Sequence, residues 1–158
     1  MTTDQIYRWL EEVKDPEIPV LSLVDLGVIT EVEVQGDNVK IQMTPTFVGC
    51  PALDYMKQEV SSLLKSKGVS QVDVEVTFKK AWTSDLISEK GKAALKKYGL
   101  APPPAANVFA DLEIIEHASC PRCGNTNTEL KTPFGPTLCR SIYYCNDCKE
   151  AFEQFKPV

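Results

Sequence analysis

Met43-Thr44-Pro45-Thr46-Phe47-Val48-Gly49-Cys50-Pro51-Ala52-Leu53 joins two hydrophobic periods, and its reading decides the fold. Before it, Val39, Ile41 and Met43 alternate with Lys40, Gln42 and Thr44, the period-2 pattern of a half-buried strand. Pro45 has no N–H for a ladder and ends that strand. After it, Leu53, Met56, Val60, Leu63 and Leu64 recur at helical spacing until Gly68. The spacing predicts Cys50 as the helix cap with Pro51 at the first helical position. A thiol so placed meets unpaired N–H groups and the positive end of the helix dipole, so it should ionise below a free thiol. Gly49 permits a tight turn and leaves room beside the sulfur, and Thr46 lines the same loop. The competing reading of Cys50 is a small buried hydrophobe.

Working outward, Thr2 and Gln5 resemble a capping box for a first helix carrying Ile6, Leu10 and Val13. That helix should stop near Lys14, because Pro16 disfavours helical geometry at Asp15. Asp15-Pro16-Glu17-Ile18-Pro19 is then a stiff loop offering two carboxylates, although an aspartate there also serves as an ordinary turn residue. Val28, Thr30, Val32 and Val34 predict a strand, and Gln35-Gly36-Asp37-Asn38 a hairpin onto Val39–Thr44. Val72, Val74, Val76 and Phe78 give a third strand, so the Cys50 helix becomes a β-α-β crossover. The fold class is α+β: a small three-stranded sheet packed by helices, followed by a C-terminal ribbon. Trp82 reads as core or lid rather than a stacking platform, and a further helix should run from Thr83 or Ser84 to Tyr98. Ala101-Pro102-Pro103-Pro104-Ala105-Ala106-Asn107 reads as a semi-rigid spacer. The expected organisation is a first domain over 1–100, a linker over 101–107 and a ribbon over 108–158.

The last fifty or so residues are too few for a self-sufficient core and need a staple. Cys120-Pro-Arg-Cys123 and Cys145-Asn-Asp-Cys148 supply four thiolates with the spacing of a zinc ribbon. Cysteine ligands alone do not separate zinc from rubredoxin-like iron, and a disulfide or redox pair is the remaining alternative. Cys139 is either a spare cysteine of the ribbon core or a substitute ligand or second reactive thiol. His117, the sole histidine, reads as a solvated or capping residue where four cysteines already suffice.

Composition narrows the function classes. The 158-residue chain is 43% hydrophobic and 25% charged, ordinary for a globular protein. No apolar run is long enough to span a membrane, and the N-terminus lacks the basic and apolar regions of a signal peptide. The expected location is cytoplasmic, where six cysteines mean metal or thiol chemistry rather than disulfides. A net charge of -5, with a ribbon near neutrality, argues against nucleic acid as partner. No histidine–carboxylate set for a di-iron site and no plant-type cysteine spacing is present.

Asp15-Pro16-Glu17-Ile18, Asp25-Leu26-Gly27 and Thr44-Pro45-Thr46…Gly49-Cys50-Pro51 together resemble the MIP-type, SufT-like family of iron–sulfur assembly factors. Ala81-Trp82-Thr83-Ser84-Asp85, Tyr98-Gly99-Leu100-Ala101-Pro102-Pro103, Cys120-Pro-Arg-Cys123-Gly124, Phe134-Gly135-Pro136-Thr137-x-Cys139 and Phe152-x-x-Phe155-Lys156 narrow this. With them the chain resembles the PaaD (PaaJ) family of phenylacetyl-CoA epoxidase systems. That resemblance implies an accessory protein of aerobic phenylacetate degradation and not an enzyme. The implied partners are a di-iron oxygenase and a reductase carrying flavin and a plant-type [2Fe–2S] cluster. It further implies Cys50 as the functional thiol, with Asp15, Glu17, Thr46 and Gly49 in support. The implied metals are structural zinc on Cys120, Cys123, Cys145 and Cys148 and a transient iron–sulfur cluster at Cys50. A homodimer is also an open expectation, since one cysteine cannot hold a cluster.

Overall fold

A computed structural model describes residues 1–47, 49–104, 116 and 118–157. The described chain divides into two compact units, Met1–Trp82 and Thr83–Val158.

The first unit begins with α1 (Thr3–Leu10), whose cap Thr2 accepts from the Gln5 N–H at 3.3 Å. α1 stops at Leu10, earlier than the proline alone requires, while Val13 stays in the core beyond it. The segment after it closes on itself: the Asp15 N–H donates to Leu21 O at 2.9 Å and the Leu23 N–H to Val13 O at 3.0 Å. Buried Ile18 anchors the loop from within. β1 (Ile29–Gln35) and β2 (Asn38–Met43) form the expected antiparallel hairpin, and β3 (Gln71–Val76) pairs parallel with β2. The sheet order is β1-β2-β3, three strands as anticipated. In β1 a register shift between Ile29 and Glu31 displaces the alternation, so Thr30 faces solvent and Ile29 and Val32 face inward. A simple period-2 reading of β1 places Thr30 inside; a bulge adds one residue and re-aims the side chains.

α2 (Leu53–Ser66) is the crossover. It packs on α1 and β3 and buries Met56, Val60 and Leu64. With Val39, Ile41 and Met43 they form an apolar layer from which water is excluded. Trp82 is 3% exposed, and its Nε1–H donates to Leu26 O at 3.0 Å. It is a core residue tied to the Asp25-Leu26-Gly27 turn, as its sequence context suggested.

The second unit opens earlier than the proline-rich stretch. A single 3₁₀ turn (Ser84–Leu86) precedes α3 (Glu89–Tyr98), whose cap is Ser88, accepting from the Gly91 N–H at 2.9 Å. The expected continuous helix from Thr83 is therefore two pieces. Gly99, at φ +94°, ends α3 in the left-handed conformation that an L side chain resists. β4 (Leu100–Ala101) then pairs parallel with β7 (Ala151–Phe155), which is antiparallel to β6 (Arg140–Cys145); β5 (Thr128–Thr132) completes the order β4-β7-β6-β5. The first residues of the expected 101–107 spacer are thus docked rather than free, with Gln154 Nε2–H donating to Pro102 O at 3.4 Å. Residues 105–107 of that spacer lie outside the described residues. Tyr143 and Phe152 stack at 5.6 Å, and around them pack Ala101, Ala118, Cys120 and Cys145.

Candidate functional site

Cys50 stands on a turn between β2 and α2. Its N–H donates to Phe47 O at 3.3 Å, and Gly49, the third residue of that turn, has φ +82°. A turn with positive φ at its third position takes glycine because a Cβ there strains the backbone. A Cβ built on Gly49 meets nothing within 4 Å, so that side of the turn is open. Thr46 and Cys50 are both half-buried.

The helix begins later than anticipated. Ala52, not Cys50, is the residue before α2, and it makes no side-chain cap. Cys50 O accepts the Leu53 N–H at 3.3 Å, so Pro51 and Ala52 belong to a turn that leads into the helix. The helix-start N–H groups still reach the thiol: those of Ala52 and Leu53 favour its ionised form. They do not prevail. Burial is the largest influence and raises the Cys50 thiol above its ordinary range, and the charges of Glu17 and Asp15 push the same way. The expectation of an acidified thiolate is therefore not met: the balance of these influences raises the Cys50 thiol instead of lowering it.

This shift also reports proximity. Asp15 and Glu17 come from the loop after α1, yet both carboxylates act electrostatically on Cys50. Asp15 Oδ1 accepts the N–H groups of Glu17 and Ile18, each at 2.8 Å. Asp15 is thus the turn residue its proline-rich context suggested, and its charge also acts on the Cys50 thiol. Asp15 also lines a groove with Glu12, Lys14, Pro16, Tyr55 and Glu59.

The second cysteine group is different in kind. The Sγ atoms of Cys120, Cys123, Cys145 and Cys148 all lie within 4.8 Å of one another. Cys120 and Cys148 are 3.7 Å apart, and Cys123 and Cys145 3.5 Å. Four sulfurs at about 2.3 Å from a tetrahedral metal would be about 3.8 Å apart, so the cage fits such an ion with little adjustment.

The two knuckles that carry these sulfurs repeat one hydrogen-bond pattern. Cys120 N–H donates to Asn125 O and Cys145 N–H to Glu150 O, both at 2.9 Å. Cys120 O accepts the Gly124 N–H at 2.9 Å, and Cys145 O the Lys149 N–H at 3.0 Å. Gly124 and Lys149 occupy equivalent places, with φ +79° and +60°. Sequence reading finds the glycine and misses the lysine, since nothing about lysine signals a left-handed backbone.

The electrostatics also suit a cation. N–H groups of Cys148 and Asp147 aimed at the Cys145 sulfur lower that thiol to about 7 against the effect of burial. Burial and the neighbouring sulfurs push Cys148 up to about 12. Four thiols so close cannot all ionise unaided, and a divalent ion supplies the positive charge that lets them.

Cys139 is buried, with its Sγ 3.1 Å from Thr137 Oγ1, and is not part of the four-sulfur cluster. The His117 expectation lies outside the described residues.

A thiol-bearing α+β unit followed by a four-cysteine ribbon defines the class: an iron–sulfur assembly domain joined to a zinc ribbon. Residues 3–78 match the family "Iron-sulfur cluster assembly protein", and residues 105–156 match "PaaD zinc beta ribbon domain". The chain is 35% identical over 154 residues to an Escherichia coli protein named as a putative 1,2-phenylacetyl-CoA epoxidase subunit, covering 98% of this chain and 92% of that one. It belongs to the PaaD family of phenylacetyl-CoA epoxidase subunits. A Porphyromonas gingivalis "Fe-S protein maturation auxiliary factor" is 41% identical over 96 residues, 60% of this chain and 90% of the relative. The solved DUF59 domain from Bacillus anthracis superposes with TM-score 0.55 at 30% identity, covering 58% of this chain and 89% of that one.

Proposed function

We propose that this chain is a cytoplasmic, non-catalytic maturation factor of the phenylacetyl-CoA epoxidase system, aiding iron–sulfur assembly in the reductase component. The observation that carries the reading is the Cys50 turn: a half-buried thiol next to a glycine whose Cβ position is open, with two carboxylates acting on the sulfur. In this reading Cys50 is a transient ligand for iron or a cluster in transit. A thiol kept protonated resists oxidation while idle. When the cargo arrives, a sulfur–metal bond replaces the S–H bond and the proton leaves, favoured by the metal's charge. Asp15 and Glu17 serve the incoming cation rather than the sulfur. The remaining cluster ligands come from the donor, the client or a second copy of this chain. Cys120, Cys123, Cys145 and Cys148 hold structural zinc, which orders the ribbon.

The test is co-expression of the epoxidase components with this chain or its Cys50→Ser variant, followed by iron, sulfide and flavin analysis of the purified reductase. Cys50→Ser should leave flavin in place and deplete iron and sulfide. Asp15→Asn, which removes the charge but keeps an acceptor for the loop N–H groups, should have a smaller effect. A fully clustered reductase beside Cys50→Ser would overturn the reading.

One observation favours a second role, a scaffold that bridges the oxygenase components. Phe134 and Leu138 are 74% and 64% exposed on a loop braced by hydrogen bonds from Lys156 Nζ to Leu138 O at 2.9 Å and from the Gly135 N–H to Arg140 O at 2.9 Å. A scaffold would survive Cys50→Ser and lose component binding on Phe134→Ser.

A further inference from the structure

The three-stranded sheet has two edges, and they are treated differently. β1 carries the register shift at Thr30. β3 runs in unbroken register with β2 from Asn38↔Gln71 to Met43↔Val76, and it contains no proline. Among the described residues, no strand other than β2 pairs with it. An edge strand in regular register with no bulge or proline offers unpaired backbone groups to another strand.

The direction of its backbone groups follows from the register. Gln71 N–H donates to Asp37 O and Thr77 N–H to Met43 O, so the odd-numbered residues of β3 address β2. In a strand, successive residues turn their N–H and C=O groups to opposite sides. Val72, Val74 and Val76 therefore present their donors and acceptors away from β2. Their side chains are only half-buried although α2 packs on this strand, and Phe78, two residues beyond β3, is 61% exposed. The opposite face carries Glu31, Glu33, Asp73 and Glu75 around Lys40, which pairs with Glu75 at 2.8 Å.

We propose that the β3 edge accepts an extended segment of another protein as a fourth strand, with apolar residues alternating with lysine or arginine. The apolar positions extend the half-covered valine row, and the basic positions meet Asp73 and Glu75 across the new pair. A second copy of this chain fits poorly. A two-fold pairing centred on Val74 sets Asp73 against Glu75 of the copy twice, and centring on Asp73 or Glu75 sets each against itself. Like charges directly opposite destabilise a strand pair.

The probe is the synthetic peptide acetyl-Thr-Val-Lys-Val-Lys-Val-Thr-amide, titrated into the isotopically labelled, metal-loaded full chain. Amides of Val72, Val74 and Val76 should exchange quickly in the free chain and become protected on binding, while those of Asp73 and Glu75 stay protected throughout. Asp73→Lys, on the solvated face, should weaken binding about tenfold with the fold unchanged, and the peptide with glutamate for lysine should not bind. Val74→Pro removes one outward donor and should abolish binding. The proposal is overturned if the valine amides are already protected in the free chain, or if their protection rises with chain concentration alone. It is equally overturned if the lysine peptide leaves them unchanged or binds Asp73→Lys as tightly.

Discussion

Cys50 and Cys145 are the same residue type set in opposite surroundings, and the packing around each defines the difference. In the first unit the interior is supplied by aliphatic side chains from α1, β1, β2 and α2, and Cys50 lies outside it on a turn. In the second, Cys145 is 0% exposed and Cys120 1%, so two of the four sulfurs are themselves core atoms packed with Tyr143 and Phe152. The first unit should therefore keep its fold without its thiol. The other has built its core around thiols, and its stability is inseparable from what they bind.

Metal removal should therefore have the largest effect and fall on one unit only. Structural zinc in small domains contributes on the order of 10 kcal/mol or more of folding free energy. A chelator, or Cys145→Ser, should collapse the amide dispersion of β5, β6 and β7 while the resonances of β1, β2 and β3 persist. Ribbon strands that stay ordered without metal would break the comparison. The converse is smaller: Ile41→Ala, at a fully buried position of β2, should cost about 2–5 kcal/mol in denaturant unfolding of the first unit and leave the metal content unchanged.

What is legible in the sequence follows the same division. Periodicity yields the hairpin, the crossover helix and the parallel third strand, because each depends on neighbours within the pattern. Cysteine spacing yields the four-sulfur cage, because a tetrahedral ion imposes its geometry on any chain that binds it. The misses are non-local. β4 is two residues long and acquires its identity only by pairing with β7, about fifty residues later, so Ala101 reads as the start of a spacer and Leu100 as the end of the first domain. The bulge at Thr30 is a property of the pair, not of β1 alone. The direction of the thiol's shift is misjudged because the helix-start effect is visible in Gly49-Cys50-Pro51, whereas burial and the approach of Asp15 and Glu17 are tertiary.

That misjudgement gives the next test. Alkylation of Cys50 in the metal-loaded chain, followed by mass spectrometry against pH, should show a midpoint above that of a free thiol, near 8.5. Its sign is fixed by the causes: burial and negative neighbours disfavour the thiolate, so reactivity appears only as pH rises beyond the ordinary thiol range. Glu17→Gln should move the midpoint down. A midpoint at or below that of a free thiol would restore the helix-start effect as the dominant one.

The smallest effect sharpens the comparison inside the ribbon, between its two knuckles. Gly124 and Lys149 close equivalent turns with matching hydrogen bonds, yet only one of them is glycine. A left-handed L residue costs roughly 1–2 kcal/mol of steric strain, whereas glycine in its place costs about 0.5–1 kcal/mol of chain entropy. Lys149→Gly should therefore stabilise the metal-loaded ribbon by several tenths of a kcal/mol to about 1 kcal/mol, seen as a small rise in its melting temperature. Gly124→Ala should lower it by a similar amount, since a Cβ there meets nothing and the penalty is backbone strain alone. The metal sharpens the result. A knuckle held in shape by its ion gains little speed or affinity from glycine, so metal affinity measured by chelator competition should move less than the melting temperature. If Lys149→Gly instead destabilises the ribbon, the lysine side chain is contributing more than its backbone conformation costs.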